Sequence, residues 1–418
     1  MLSAEQNERL TRVGPGTPCG ELMRRYWHPV AASSQLKLPG TRPVRILGEN
    51  LVLYRDNSGK LGLLEPHCAH RKAGLVYGLP DECGLRCAYH GWLYDATGQC
   101  TEQPYEKIAN PNSRFKDQIK IKAYPVEELG GLIFAYLGPE PRPLLPRWEA
   151  LVIDNAYREI GLAVIPCNWL QTVENAGDSS HVVSTHYQFS RYVLDHLGRN
   201  DLQRHEYSSG ATGYSVREKE ADGPYGVGAV LFPYTDAQRD MTYQIRVPLD
   251  DTHTLHIWYM VYPPDAQTEL GIQLPPQADQ RDIPVFEVPV PQFINGAELD
   301  WALLDSNSSQ DLVMWFTQGP IVDRTTEHLG LGDLNIVRTR NFLEEQIKIV
   351  EAGGEPVNTF RDPAQNVCIV PTHLAPVPGR LAPDGRPDRT NAARKYSPVY
   401  MKATTARLSA KALLDPAY

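Results

Sequence analysis

The stretch that most constrains this chain runs from Glu65 to Trp92, EPHCAHRKAGLVYGLPDECGLRCAYHGW. It holds Cys68 and His70 as Cys-x-His and Cys87 and His90 as Cys-x-x-His, with sixteen residues between the pairs. Two thiols and two imidazoles this close in sequence make a metal-ligand set. Such a set dictates local structure, because each pair must sit on a tight loop and the loops must face each other. Gly74, Gly78, Gly84 and Gly91 supply turn-forming residues around both pairs.

The spacing discriminates between metals. Structural zinc favours Cys-x2–4-Cys and His-x3–5-His pairs. Here each pair is mixed, which suits a Rieske [2Fe-2S] cluster: one iron takes a thiolate from each loop and the other an imidazole from each loop. Two neutral imidazoles in place of two thiolates leave the cluster less negative, and its potential rises to roughly −150 mV or above. Tyr89, Trp92 and Tyr94 stand where they can shield the cluster or hydrogen-bond a sulfur. Cys83 and Cys100 fit no ligand slot and read as packing thiols, and His67 reads as a loop histidine.

The 418 residues suffice for two domains, and 42% apolar residues suffice for full cores. A net charge of −9 argues against nucleic acid or an anionic membrane as the main partner. No apolar run approaches the length of a membrane span, and the polar start MLSAEQNERLTRVG resembles neither a signal nor a transit peptide. The expected location is the cytoplasm. Seven cysteines, an odd number, argue against a disulfide framework.

Residues 1–35 read as an N-terminal arm with a short helical run from Gly20 to Tyr26. VRILGENLVLYRDNSGKLGLLE then reads as three strands joined by turns, and strand patterns continue to GGLIFAYLG. Four prolines between Pro139 and Pro146 suggest a linker. Beyond it, GAVLFPY, MTYQIRVPL and HTLHIWYMVYP read as strands. NWLQTVENAGDSSHVVSTH reads as helical at first, and DSNSSQDLVMWFTQ and RNFLEEQIKIVEAG read as helices. No GxGxxG motif follows a strand and no Walker loop occurs, so neither a nicotinamide nor an ATP site is encoded here.

ENAGDSSHVVSTH carries a second constellation: Glu174, Asn175, Asp178, His181 and His186. Asn175, Asp178 and His181 are spaced by three, as on one helix face. His186 falls about 140° further round an ideal helix, so both histidines can hold one ion only if the helix ends or distorts between them. A carboxylate would complete the 2-His-1-carboxylate triad of non-haem Fe(II) oxygenases, which leaves positions open for O2. Asp300, Asp305 and Asp311 are the candidates.

With these residues in hand, the chain resembles the large subunits of Rieske non-haem iron oxygenases, in particular the phthalate dioxygenase-like group. The likeness rests on RVGPGTPCGELMRRYWHPV, the Cys68/His70/Cys87/His90 set, NWLQTVENAGDSSHVVSTH and QDLVMWFTQGPIVDRTTEHLG. The last block implies Asp311 as the carboxylate ligand in preference to Asp305. The resemblance implies an α+β fold, with an arm (1–35), an all-β Rieske domain (36–140) and a helix-grip catalytic domain (141–418). It also implies a homotrimer or stacked trimers, with Asp178 bridging His90 of one subunit to His181 of the next. A separate flavin and iron–sulfur reductase would supply electrons for O2 activation at the mononuclear Fe(II). The implied reactions are ring dihydroxylation and aryl O-demethylation.

The substrate is least constrained. Thr242, Gln244 and Arg246 share one face of a strand, while His256 and Trp258 share a face of the next, read as a different one. Arg246 or Arg217 is placed to clamp a substrate carboxylate, with His256 nearby. The expected substrate is an aromatic acid. Two other classes compete: a Rieske electron carrier with an inert large domain, and a zinc-binding interaction protein.

Overall fold

The computed structural model describes residues 1–178, 180–189, 205–210, 213–218, 228–238, 242–264, 267–268, 273–294, 298–299, 301–304, 306–371, 396–399 and 401–402. The N-terminal part is built from short antiparallel strands. Gly40–Ile46, Glu49–Arg55, Leu61–Leu64 and Ala123–Tyr124 form one four-stranded sheet, and Leu79–Asp81, Gly84–Arg86, Leu93–Tyr94 and Cys100–Glu102 form a second. A third sheet pairs Trp27–Ala32 with Leu132–Tyr136, which also pairs with Val126–Leu129.

The C-terminal part centres on an eight-stranded sheet. Its order is His205–Gly210, Gly213–Glu218, Gly228–Leu231, Thr235–Gln238, Tyr243–Pro248, Thr254–Tyr262, Tyr157–Ile165 and Val285–Glu287. Every pairing is antiparallel except the last. Alternation along the strands feeds two cores. Ile245, Val247, Ile257 and Tyr259 join the large core, while Trp258, Met260 and Tyr262 join a smaller one containing Leu312 and Trp315. A sheet buried on both faces explains why HTLHIWYMVYP is apolar with little break.

The helix Trp169–Gly177 packs on Tyr243–Pro248 and on the long helix Leu334–Glu351. Asn168 caps its start by accepting from the Leu170 N–H at 3.1 Å. The Asn168 amide also donates to the carbonyls of Thr11 and Asp251, so arm, helix start and strand turn meet at one side chain. The two parts of the chain are joined backbone to backbone. Leu47 and Gly48, both at positive φ in a hairpin turn, donate to the carbonyls of Pro248 and Leu249 at 3.1 and 2.9 Å. Trp27, Leu132, Trp169, Tyr243 and Leu343 share a single apolar core, which spans the N-terminal and C-terminal parts of the chain. Among the described residues, no helix is long and apolar enough to cross a membrane.

Candidate metal centres

The two loops predicted from the Cys–His spacing are near copies of one another. Cys68 N–H donates to Ala73 O and Lys72 N–H to Cys68 O; Cys87 N–H donates to Trp92 O and Gly91 N–H to Cys87 O. Each loop turns through one residue at positive φ, Lys72 at 59° and Gly91 at 73°. Cys68 and Cys87 are buried with their thiols in interaction range, whereas His70 and His90 are exposed with ring centroids 4.5 Å apart. The donors thus sort into a thiol end and an imidazole end, as a [2Fe-2S] cluster with two unlike irons needs. Trp92 stacks on His70 at 4.6 Å, and the Tyr94 hydroxyl lies 3.1 Å from Cys68 Sγ.

The second constellation depends on a break in the helix. Trp169–Gly177 stops at Asp178, whose φ of −95° and ψ of 116° are extended. The chain then resumes as a π-helix over Val182–Phe189. A π-helix closes hydrogen bonds from i to i+5, so residues five apart lie nearly over one another. His181 and His186 are five apart, and their rings meet edge-on at 5.1 Å. The helix Asn307–Phe316 packs against this segment and presents Asp311. Asp311 Oδ1 lies 3.2 Å from His186 Nε2 and 3.7 Å from His181 Nε2. Donor atoms of His181, His186 and Asp311 all fall within 4.8 Å of one another. Two imidazoles and one carboxylate on one side of a point are the donor set of a non-haem iron site.

The surrounding groups hold these three side chains. Asp178 Oδ1 accepts from the Ser180 N–H and hydroxyl, which turns Oδ2 toward His181 Nδ1 at 3.6 Å. Asn175 Nδ2 approaches Asp311 Oδ1 at 3.4 Å. Burial pushes the Asp311 carboxyl up, but His186, His181 and Arg246 together hold it below the usual carboxylate value. Burial pulls His186 down, but Asp311 and Gln310 outweigh it and its pKa is raised. The pocket therefore favours positive charge between these groups, and a divalent cation would take the place of the imidazole proton.

Beside Asp311 lies a polar aromatic wall. Arg246 is buried, sits over the Trp315 ring at 5.6 Å and approaches Asp236 at 3.6 Å. His256 is fully buried and stacks on Trp258 at 4.0 Å and Trp315 at 5.6 Å. Neither of its ring nitrogens has a hydrogen-bond partner among the described residues. Burial, then Arg246, lowers its pKa far below the usual histidine value, so the ring is neutral.

The Rieske [2Fe-2S] domain family matches residues 26–125, and the family described as LigXa C-terminal domain like matches residues 300–373. The chain is 44% identical to the 5,5'-dehydrodivanillate O-demethylase oxygenase subunit of Sphingobium sp. (strain NBRC 103272 / SYK-6), covering 88% of this chain and 86% of that one. It belongs to the Rieske non-haem iron oxygenases. The phthalate 4,5-dioxygenase oxygenase subunit of Pseudomonas putida is 31% identical, covering 86% of this chain and 89% of the other. Among solved structures, NdmA of Pseudomonas putida CBB5 (QL mutant with theobromine) shares the fold at a TM-score of 0.59 and 20% identity. That likeness covers 81% of this chain and 94% of NdmA. Membership in an oxygenase family rules out both the inert electron carrier and the zinc protein.

Within this Rieske oxygenase the structure alters several sequence readings. Asn175, Asp178 and His181 do not share one helix face, because the helix ends at Gly177 and the three converge through the break. Arg246 and His256 lie on the same face of the sheet. They are direct cross-strand partners, as are Gln244 and Trp258, and a register between strands cannot be read from one strand's alternation. Cys83 is exposed and so does not pack; Cys100 is buried. Asp300 and Asp305 lie outside the described residues, and so does the side chain of Arg217, whose backbone is in the strand Gly213–Glu218. Sequence reasoning passed over Gln310 and Trp315. Their signal was position: one precedes Asp311, and the other follows it by one helical turn.

Proposed function

We propose that this oxygenase takes electrons from a separate NAD(P)H-dependent reductase and O-demethylates a carboxylated aryl methyl ether. The observation that carries the reading is the His181/His186/Asp311 trio set beside the buried cation Arg246 and the Trp315 ring. In this reading residues 36–140 hold the cluster through Cys68, His70, Cys87 and His90, and residues 141–418 hold the mononuclear Fe(II). The cluster supplies electrons, and the mononuclear iron supplies O2 activation. His181 and His186 present Nε2 and Asp311 presents Oδ1, and Asn175 steadies that oxygen. Arg246, fixed by Asp236, fastens the substrate carboxylate. Trp315 stacks on the ring, and neutral His256 hydrogen-bonds a ring oxygen. Overall, O2, two electrons and two protons convert ArOCH3 to ArOCH2OH and water, and the hemiacetal then releases formaldehyde and a phenol.

The 44% identity to the 5,5'-dehydrodivanillate O-demethylase oxygenase subunit favours demethylation. The second reading is cis-dihydroxylation of a phthalate-like acid, favoured by the 31% identical phthalate dioxygenase. We further propose a cytoplasmic homotrimer or stacked trimers, in which Asp178 links His181 to His90 of a neighbouring copy. Support comes from the exposed rings beside the imidazole end of the cluster loops, Tyr89 at 3.8 Å from His90 and Phe115 at 5.9 Å from Trp92. The test is turnover of phthalates, methoxybenzoates and methoxylated biaryl acids with a reductase and NADH. Formaldehyde with a phenol is the expected product; a diol without formaldehyde would select the second reading.

A further inference from the structure

The two histidines of the mononuclear site are held in different ways, and one of the holders has no role so far. Gln310 is completely buried on the helix Asn307–Phe316, directly before Asp311. Its Nε2 donates to the carbonyl of Leu304 at 3.0 Å. A carbonyl can only accept, so this bond fixes which way the amide points. The Gln310 Oε1 then faces His186 Nδ1 at 3.2 Å. An amide oxygen can only accept, so His186 carries its proton on Nδ1. Its Nε2, 3.2 Å from Asp311 Oδ1, is then the nitrogen whose lone pair a bound metal would take in place of a proton. His181 has a carboxylate, Asp178, on its Nδ1 side instead. One imidazole therefore faces an anion that can strengthen its basicity, while the other faces a neutral amide that sets its tautomer without adding charge.

We propose that Gln310 is the positioning residue of the mononuclear site, locking His186 in the Nδ1–H tautomer so that Nε2 points at the metal beside Asp311. The chain Leu304 O, Gln310 and His186 is a rigid relay from backbone to ligand. Because Gln310 and Asp311 are adjacent on one helix, a single helix both supplies the carboxylate and orients the second imidazole. The neutral amide adds no negative charge to that of Asp311 and Asp178. This inference rests on the reading of His181, His186 and Asp311 as the metal site.

The experiment uses the full chain with its [2Fe-2S] cluster intact, stripped of mononuclear metal by chelation and titrated with Fe(II), and with Co(II) as a spectroscopic reporter. Gln310→Met keeps the side-chain length and removes both hydrogen bonds. It should bind either metal about 10- to 100-fold more weakly and shift the Co(II) visible bands, with the cluster spectrum unchanged. Gln310→Glu keeps an acceptor facing His186 but loses the donor to Leu304. It should bind metal more tightly than Gln310→Met. Wild-type affinity and bands in Gln310→Met would overturn the proposal. So would a Gln310→Glu variant as weak as Gln310→Met or weaker, because that order marks a role confined to packing against Leu304. Should Gln310→Met not fold, Gln310→Leu, which also lacks both polar atoms, takes its place under the same criteria. His186→Ala separates the two levels. If it binds metal as wild type does, the metal-site reading fails; if it loses metal while Gln310→Met does not, only the present inference fails.

Discussion

Replacing Tyr94 by Phe should lower the reduction potential of the cluster. Tyr94 is fully buried on the strand Leu93–Tyr94, with its Oη 3.1 Å from Cys68 Sγ. The Ala69 N–H donates to the same oxygen at 3.2 Å. That contact occupies a lone pair and turns the single phenol proton toward the sulfur. A cluster-bound thiolate carries no proton, so the tyrosine is the donor. A hydrogen bond to a charged acceptor contributes about 1.5–3 kcal/mol. It stabilises the reduced, more negative cluster more than the oxidised one. If a third to a half of it, about 1 kcal/mol, is differential, the loss is on the order of 40 mV for a one-electron couple. Phe retains the ring, so the loop should keep its shape. A redox titration of purified Tyr94→Phe, followed by absorbance and by the spin resonance of the reduced cluster, reads the shift directly. A potential within about 10 mV of wild type, or above it, with the cluster intact would refute the reasoning.

Other outcomes follow from the same structure. Asp178→Asn should keep both metal sites filled and cut turnover roughly 10- to 100-fold or more, read by metal analysis beside steady-state rates; near-normal turnover would remove the bridging role. Glu174 receives Arg324 through Nε and Nη2 at 3.0 and 2.8 Å and Arg340 through Nε at 2.6 Å, all of it buried. Glu174→Ala leaves Arg324 with only Asn7 among these partners, so urea unfolding should show a loss of about 3–5 kcal/mol, and a loss below about 1 kcal/mol would contradict this. Burial pushes the Glu174 carboxyl up, but the two arginines hold it below its ordinary value of 4.5. Its stabilisation is therefore complete above that value and fades as pH falls through the lowered pKa, so wild type and Glu174→Ala should converge in acid. Arg246→Gln should raise KM for a carboxylated substrate by roughly 10- to 100-fold and leave an uncharged analogue little affected; equal effects on both would deny the carboxylate contact.

The residues differ in how much of their role is local. Cys68, His70, Cys87 and His90 were legible because two short loops carry them, and each loop closes through its own backbone hydrogen bonds. His181 and His186 were legible as a pair. Their convergence was not, because a switch from α- to π-helix depends on the helix packed against it rather than on residue type. Asp311 is 136 residues beyond Asn175, which approaches it. Three aspartates met the chemical requirement, and only resemblance chose among them.

By itself the sequence determined the cluster type and offered His181 and His186 as metal donors. These follow from spacing and residue chemistry, which act over a few residues, whereas the two-part α+β organisation and the choice of Asp311 came from resemblance. The tertiary structure alone decided that Arg246 and His256 share a face, since strand register is a relation between strands. It decided the break at Asp178 and the π-turn that brings two histidines over one another. It also decided the direction of the Gln310 amide, because a carbonyl six residues earlier in the chain is brought to one side of it and His186 to the other. Ligand identity is a property of side chains, whereas ligand direction is a property of what packs behind them.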